Sequence, residues 1–206
     1  MDKPKDWWKN PDNAEEWIKQ NARRTKGKGV NTTKESTKIV IKEISKRKQD
    51  FATILEVGAG DGRLIGPLSK KLSDSQCFSS DINLILSSHI EMKYPTVFVQ
   101  TSSEGIISLP FSDNSMDLVY TYQVLQHIHP DEIEQALKEL MRVAKKEVWL
   151  WEGIGRVDYE HGAMTHKAHN GSWVYHIDKM VDCYEVSIPQ NKNIKLDRQR
   201  LYKIKV

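Results

Sequence analysis

From residue 51 onward, apolar residues fall in short runs separated by longer amphipathic stretches. Thr53-Ile54-Leu55-Glu56-Val57 is a β-branched apolar run that stops at a glycine cluster, which predicts a buried strand. A helix is expected over about 62–72, with Pro67 in its first turns, where a missing N–H costs little. Gln76 to Asp81 reads as a second strand, Leu84 to Met92 as a helix, Val97-Phe98-Val99 as a third strand and Asp117 to Thr121 as a fourth. Pro130 opens the clearest helix, and Asp131 and Glu132 suit its N-terminal dipole. Ile133, Leu137, Leu140 and Ala144 recur at helical spacing and form its buried face. Glu147 to Trp151 is a fifth strand. Alternation of this kind predicts an α/β fold, with a largely parallel sheet and helices on both faces.

The two ends read differently. Val181 to Ile188 and Gln199 to Val206 read as strands joined by a turn over 189–193. Tyr202, Ile204 and Val206 alternate with Lys203 and Lys205, the period of a half-buried strand. An antiparallel hairpin finishing the sheet is the economical arrangement. At the N-terminus, residues 12–20 predict a short helix with an acidic first turn, broken at Thr25 to Gly29. A second helix is expected from about Thr33 to Lys48, with Ile39, Ile41 and Ile44 as an approximate apolar stripe. The chain therefore divides into an N-terminal helical cap, 1–50, and an α/β domain, 51–206.

Composition narrows the class. At 206 residues the chain is long enough for one domain with a real core plus an appendage. A mean hydropathy of −0.60 and the lack of any apolar run near the roughly 20 residues that span a bilayer exclude a membrane-spanning chain. Met1-Asp2-Lys3-Pro4 opens no apolar secretory segment, and Cys77 and Cys183 are too few for a disulfide framework. A cytoplasmic protein is expected. Residues 1–50 carry a net charge of +6, and the remainder −3. That excess either coats a solvated helix face or attracts an anionic substrate.

The chemistry concentrates in Glu56-Val57-Gly58-Ala59-Gly60-Asp61-Gly62. A tight turn after a strand, and close approach of a ligand, both need residues without a Cβ. The loop opens a helix, and Asp81 ends the next strand, where a carboxylate can hold ribose hydroxyls. Arg63 stands where a dinucleotide fingerprint would continue, and no Gly-Lys-Ser/Thr follows, so neither a dinucleotide site nor a P-loop is indicated. Glu56 would repel a pyrophosphate; it can order the loop or hold an ammonium group.

The sequence here resembles the class I S-adenosylmethionine-dependent methyltransferases. The resemblance rests on Ile54 to Leu64, on Ser80-Asp81-Ile82-Asn83, on Leu109 to Val119 with Val124-Leu125-Gln126-His127-Ile128, and on Ala136 to Val143. It covers about residues 51–152 and implies a Rossmann-like, seven-stranded, mostly parallel sheet ending in an antiparallel hairpin. It also implies S-adenosyl-L-methionine as cofactor, its methionine part against Glu56, Gly58 and Gly60 and its ribose on Asp81. Ile82 would pack on the adenine, and Thr121 would line the site at the end of the fourth strand. Where the family often has an Asp facing the adenine amine, this chain offers Ser102, Ser103 or Glu104.

Methyl transfer asks a protein to position the acceptor, exclude water and, for a hydroxyl or ammonium, take a proton. His127 and His129 follow the fourth strand at the carboxyl edge, where open α/β sheets bind ligands, and Glu152 follows the fifth. These three are the catalytic candidates; packing at a helix start, or plain solvation at a strand end, is their bland alternative. His161, His166, His169 and His176, interleaved with Trp151, Tyr159, Trp173 and Tyr175, form no recognised metal spacing. No metal is expected there, and a loop lining the substrate site is. Trp7, Trp8 and Trp17 either pack as an ordinary helix face or close over the cofactor, with Arg23, Arg24, Lys26 and Lys28 beside hinge glycines. The expected acceptor is an O or N atom of a small molecule such as a sugar or an anionic metabolite, with no nucleic-acid or membrane partner. The alternative is a macromolecular acceptor, or a methyltransferase-like protein that binds without turnover.

Overall fold

The computed structural model describes residues 5–26, 32–153, 165–167, 172–186 and 199–206. The side chains of Arg23, Arg24, Lys26, Lys28, Tyr159, His161, His166 and His169, the glycines at 27 and 29 and the turn over 189–193 lie outside the described part. Five parallel strands form the frame: β1 (Thr53–Val57), β2 (Gln76–Asp81), β3 (Val97–Thr101), β4 (Met116–Tyr122) and β5 (Ala144–Gly153). Two further strands, β6 (Thr165–Lys167) and β7 (Trp173–Tyr175), make a separate antiparallel pair. The hairpin strands are β8 (Tyr184–Val186) and β9 (Gln199–Lys205). The main sheet runs β3-β2-β1-β4-β5-β9-β8, with β9 antiparallel to both neighbours and the three-residue β8 at the edge. Six strands of substantial length plus this short edge strand realise the mostly parallel sheet expected.

Helices cover both faces. α1 (Lys5–Lys9), α2 (Pro11–Lys26) and α3 (Thr32–Lys46) precede the sheet. They are followed by α4 (Ile65–Lys71), α5 (Leu84–Lys93), α6 (Pro130–Val143) and α7 (Ile177–Met180). Period-two alternation sorts the strand side chains. Ile54, Leu118, Trp149 and Trp151 join Val40, Ile44, Ile65, Leu68 and Ile90 of α3, α4 and α5 on one face. Leu55, Val57, Val119, Val148 and Leu150 join Ile133, Leu137 and Leu140 of α6 on the other.

Several boundaries move for local reasons. α4 begins at Ile65 rather than near 62, because the glycine turn holds positive φ through Gly62 (+71°), and Pro67 falls in its first turn. Ala144 is fully buried as expected, but it starts β5 instead of ending α6. α2 continues to Lys26, beyond the break expected at Thr25, and α1 adds a short helix around Trp7 and Trp8.

Candidate functional site

The parallel strands all end on one edge, and the candidate residues lie at those strand ends or in the loops that leave them. In the glycine loop after β1, Gly58, Gly60 and Gly62 have φ of +71°, +57° and +71°, the left-handed region that only glycine enters freely. A Cβ on Gly58 would stand 2.5 Å from Val124 Cγ2, whereas one on Gly60 would meet only Trp17 Nε1, at 3.4 Å. The loop is thus pressed against the turn after β4 on one side and roofed by α2 on the other.

Glu56 is buried on the α4 side of the sheet. Its Oε2 accepts from the Ile65 N–H and the Tyr120 hydroxyl, both at 2.9 Å. Of the two tasks open to it, the structure shows loop ordering: the carboxylate ties the start of α4 to β1. Burial pushes its pKa up to about 8, against the opposing pull of those two hydrogen bonds.

Asp81 ends β2 beside the same loop. Its Oδ2 accepts from the Gly60 N–H at 2.9 Å and its Oδ1 from the Asn83 N–H at 3.0 Å. Desolvation raises its pKa in spite of these donors. Ile82 is half-buried, and its Cδ1 would lie 3.1 Å from a Cβ on Gly105, so the loops after β2 and β3 touch there. In that second loop the three adenine candidates separate. The Ser102 hydroxyl is directed at the carbonyls of Gly105 and Ser108, each at 2.7 Å, and so braces the loop. Ser103 is exposed, and Glu104 pairs with Lys5 of α1 at 3.1 Å.

The turn after β4 carries the histidines. Gln123 opens it with φ +59°, a costly conformation for a residue with a Cβ, and its N–H donates to the Trp151 carbonyl at 2.9 Å. His127 lies in a 3₁₀ turn (Leu125–His127), its ring 4.7 Å from that of Trp8. His129 has another task. It is the N-cap of α6, its Nδ1 accepting from the Asp131 N–H at 3.4 Å, and its side chain is 60% exposed.

Glu152 is not the solvated strand-end carboxylate of the bland alternative. It is 6% exposed, beneath the 3₁₀ turn. Its Oε1 accepts from the Thr121 hydroxyl at 2.9 Å and the Val124 N–H at 3.2 Å, while Oε2 has no partner among the described residues. Burial pushes its pKa up to about 7. Thr121 is thereby a partner of Glu152.

Three features were not singled out by sequence reasoning. Asn83 caps α5 and also reaches α1; an Asn just before an apolar helical run is a recognisable cap signal. Arg63 stands 5.5 Å from the Tyr122 ring centroid and 6.0 Å from that of Trp17, without an ion pair among the described residues. Tyr122 itself shares a short hydrogen bond with Ser36 of α3, joining the cap to β4. No sequence spacing announces the last two contacts.

Among the described residues no group of three or more His, Cys, Asp or Glu side chains could hold a metal, and no helix is long and apolar enough to cross a membrane. Residues 55–151 match the methyltransferase domain family. A tRNA N(3)-cytidine methyltransferase METTL2 from Danio rerio is 29% identical over 114 residues, covering 51% of this chain and 32% of its own length. The chain thus spans about a third of that relative. A TehB-like SAM-dependent methyltransferase from Corynebacterium glutamicum superposes with a TM-score of 0.66 at 17% identity, covering 94% of this chain and 98% of that one. Magnesium protoporphyrin IX methyltransferase from Synechocystis, with bound SAH, gives 0.64 at 13% identity, covering 98% of this chain and 97% of the other. These likenesses show a shared fold.

Proposed function

We propose that this chain is a class I S-adenosylmethionine-dependent methyltransferase and that it methylates an O or N atom of a small molecule under an N-terminal lid, a reading that the methyltransferase-domain match over residues 55–151 and the shared fold support. The residues present suit the cofactor. The glycine loop turns at positive φ beneath Trp17, and Asp81 offers a buried carboxylate at the end of β2. Bound S-adenosylmethionine supplies a sulfonium methyl, and the acceptor's lone pair displaces S-adenosylhomocysteine from it.

The protein's part is placement and proton transfer. Asp81 holds ribose hydroxyls, and Glu104 or the exposed Ser103 meets the adenine edge. Arg63, the cation near the Trp17 and Tyr122 rings, receives a carboxylate. His127 takes the acceptor's proton, and Glu152 fixes the turn that carries it. The observation that carries the reading is the roof. Trp17 lies over Gly60 and Trp8 over His127, so α1 and α2 cover the ground between cofactor loop and proposed base. Such a cover excludes water and limits the size of what enters.

A second reading is favoured by the tRNA-modifying relative and by the basic balance of residues 1–50: a nucleic-acid acceptor. Methyl-labelled S-adenosylmethionine, offered with the small-molecule and the RNA fractions of a cell extract, separates the two. Label in small molecules supports the proposal. Label in tRNA, with binding that falls steeply with salt, replaces it.

A further inference from the structure

Asn83 touches the nucleoside-side carboxylate and the lid at once. Its backbone N–H donates to Asp81 Oδ1 at 3.0 Å. Its Oδ1 accepts from the N–H groups of Ile85 and Leu86, at 2.9 and 3.3 Å, which caps α5. Its Nδ2 faces the other way and donates to the carbonyls of Trp8, at 2.6 Å, and Asn10, at 3.2 Å. Those carbonyls lie at the corner between α1 and α2, where the end of a helix leaves acceptors without intrahelical partners. The corner is itself ordered, because Asn10 Oδ1 accepts from the Asp12 N–H at 3.0 Å.

Capping alone does not account for this side chain. A cap needs only the acceptor oxygen, and Ser, Thr or Asp supplies it equally well. The donor end of the amide is what distinguishes Asn, and that end meets the lid. Other contacts also hold α1 among the described residues: Lys5 to Glu104 and, at 3.9 Å, to Glu132, and the Trp8 ring to His127. The Lys5 pairs are solvent-exposed and therefore weak. Asn83, 1% exposed, is a buried attachment, and it bonds directly to Asp81.

We propose that Asn83 is a latch coupling occupancy at Asp81 to closure of the α1–α2 lid, an inference that rests on the cofactor reading above. A nucleoside held by Asp81 fixes the carboxylate, the carboxylate fixes the Asn83 backbone, and the amide then holds the corner that presses Trp8 onto His127. Closure and cofactor retention strengthen each other, since coupling between two binding events is reciprocal. Asn83 is a positioning residue in this scheme; it touches neither the methyl group nor its acceptor.

Asn83→Ser and Asn83→Asp both keep a capping acceptor and lose the amide donor. Hydrogen exchange of the full chain, with and without S-adenosylhomocysteine, and the dissociation rate of that probe are the readouts. In the wild type the probe slows exchange over residues 5–22. Both variants lose that protection and release the probe about tenfold faster, equivalent to ~1.4 kcal/mol. Their Ile85 and Leu86 amides stay protected, which shows α5 still capped. Wild-type protection and release rate in both variants overturn the latch. Absence of probe binding by the wild type instead overturns the cofactor reading beneath it.

Discussion

The indole of Trp8 and the imidazole of His127 lie with ring centroids 4.7 Å apart and planes inclined at 59°. One belongs to the N-terminal helices and the other to the turn that ends β4, so this contact closes the helical cap over the sheet edge. Trp8→Ala opens it without touching either core cluster. Methyl transfer is expected to fall at least about tenfold while thermal stability changes by less than about 1 kcal/mol, the scale of substitutions away from the core. Steady-state kinetics beside a thermal melt checks both; full activity in this variant defeats the lid.

Asp81→Ala removes the carboxylate proposed to bind ribose. Charge-assisted hydrogen bonds contribute about 1.5–3 kcal/mol each, so affinity for S-adenosylhomocysteine should fall more than tenfold. Calorimetric titration measures it, and unchanged affinity would remove Asp81 from the cofactor site.

The glycines of the loop should not be equivalent. Gly58→Ala forces a methyl group to 2.5 Å from Val124 Cγ2 at a φ of +71°, and Val124 N–H is bonded to Glu152. Overpacking of this kind costs about 1–3 kcal/mol, with backbone strain in addition. Gly60→Ala meets only the indole nitrogen of Trp17, at 3.4 Å, and carries the φ strain alone. Gly58→Ala is therefore the less stable of the two in urea unfolding, whereas both weaken S-adenosylhomocysteine.

Glu56 and Glu152, raised by burial to about 8 and about 7, make stability fall as pH rises. Below the ordinary carboxyl value both are protonated whether the chain is folded or not. Above it the unfolded chain releases two protons that the folded chain retains, so stability declines from about pH 4.5 toward pH 8. Glu152→Gln should flatten this slope up to about pH 7, and Glu56→Gln up to about pH 8. Urea unfolding at three pH values in that window reads the slopes. A slope that neither variant alters would mean that these carboxylates are ionised throughout.

The strands and the glycine loop were legible because each is a local signal. Thr53–Val57 and Met116–Tyr122 are apolar runs buried on both faces, and a positive-φ turn requires glycine in the sequence itself. What was not legible is what loops do to one another across the edge. Nothing in the spacing of Asn83 and Trp8 states that an amide of one meets the carbonyl of the other. His129 and Glu152 illustrate the same limit in opposite directions. Both stand at the carboxyl edge in sequence, yet one is an exposed cap and the other a buried carboxylate. Burial depends on the turn that folds back over β5, and no residue of that turn marks it. The cap was half-legible: its aromatic and basic content was plain, but α1 is one short helix that depends on tertiary contacts such as the Asn83 bond to Trp8.

β9 lies between β5 and β8 in the sheet although it follows both in the chain. A ribosome delivers residues in order, so every other strand of the sheet exists before its neighbour at 199–205 has been made. Until then β5 has an open edge beside Trp149 and Trp151, and β8 has no strand to pair with. The newborn chain can close its parallel half early, but β9, made after every other strand of the sheet, must slip into an interior slot, and a chaperone that shields the β5 edge would act in that interval.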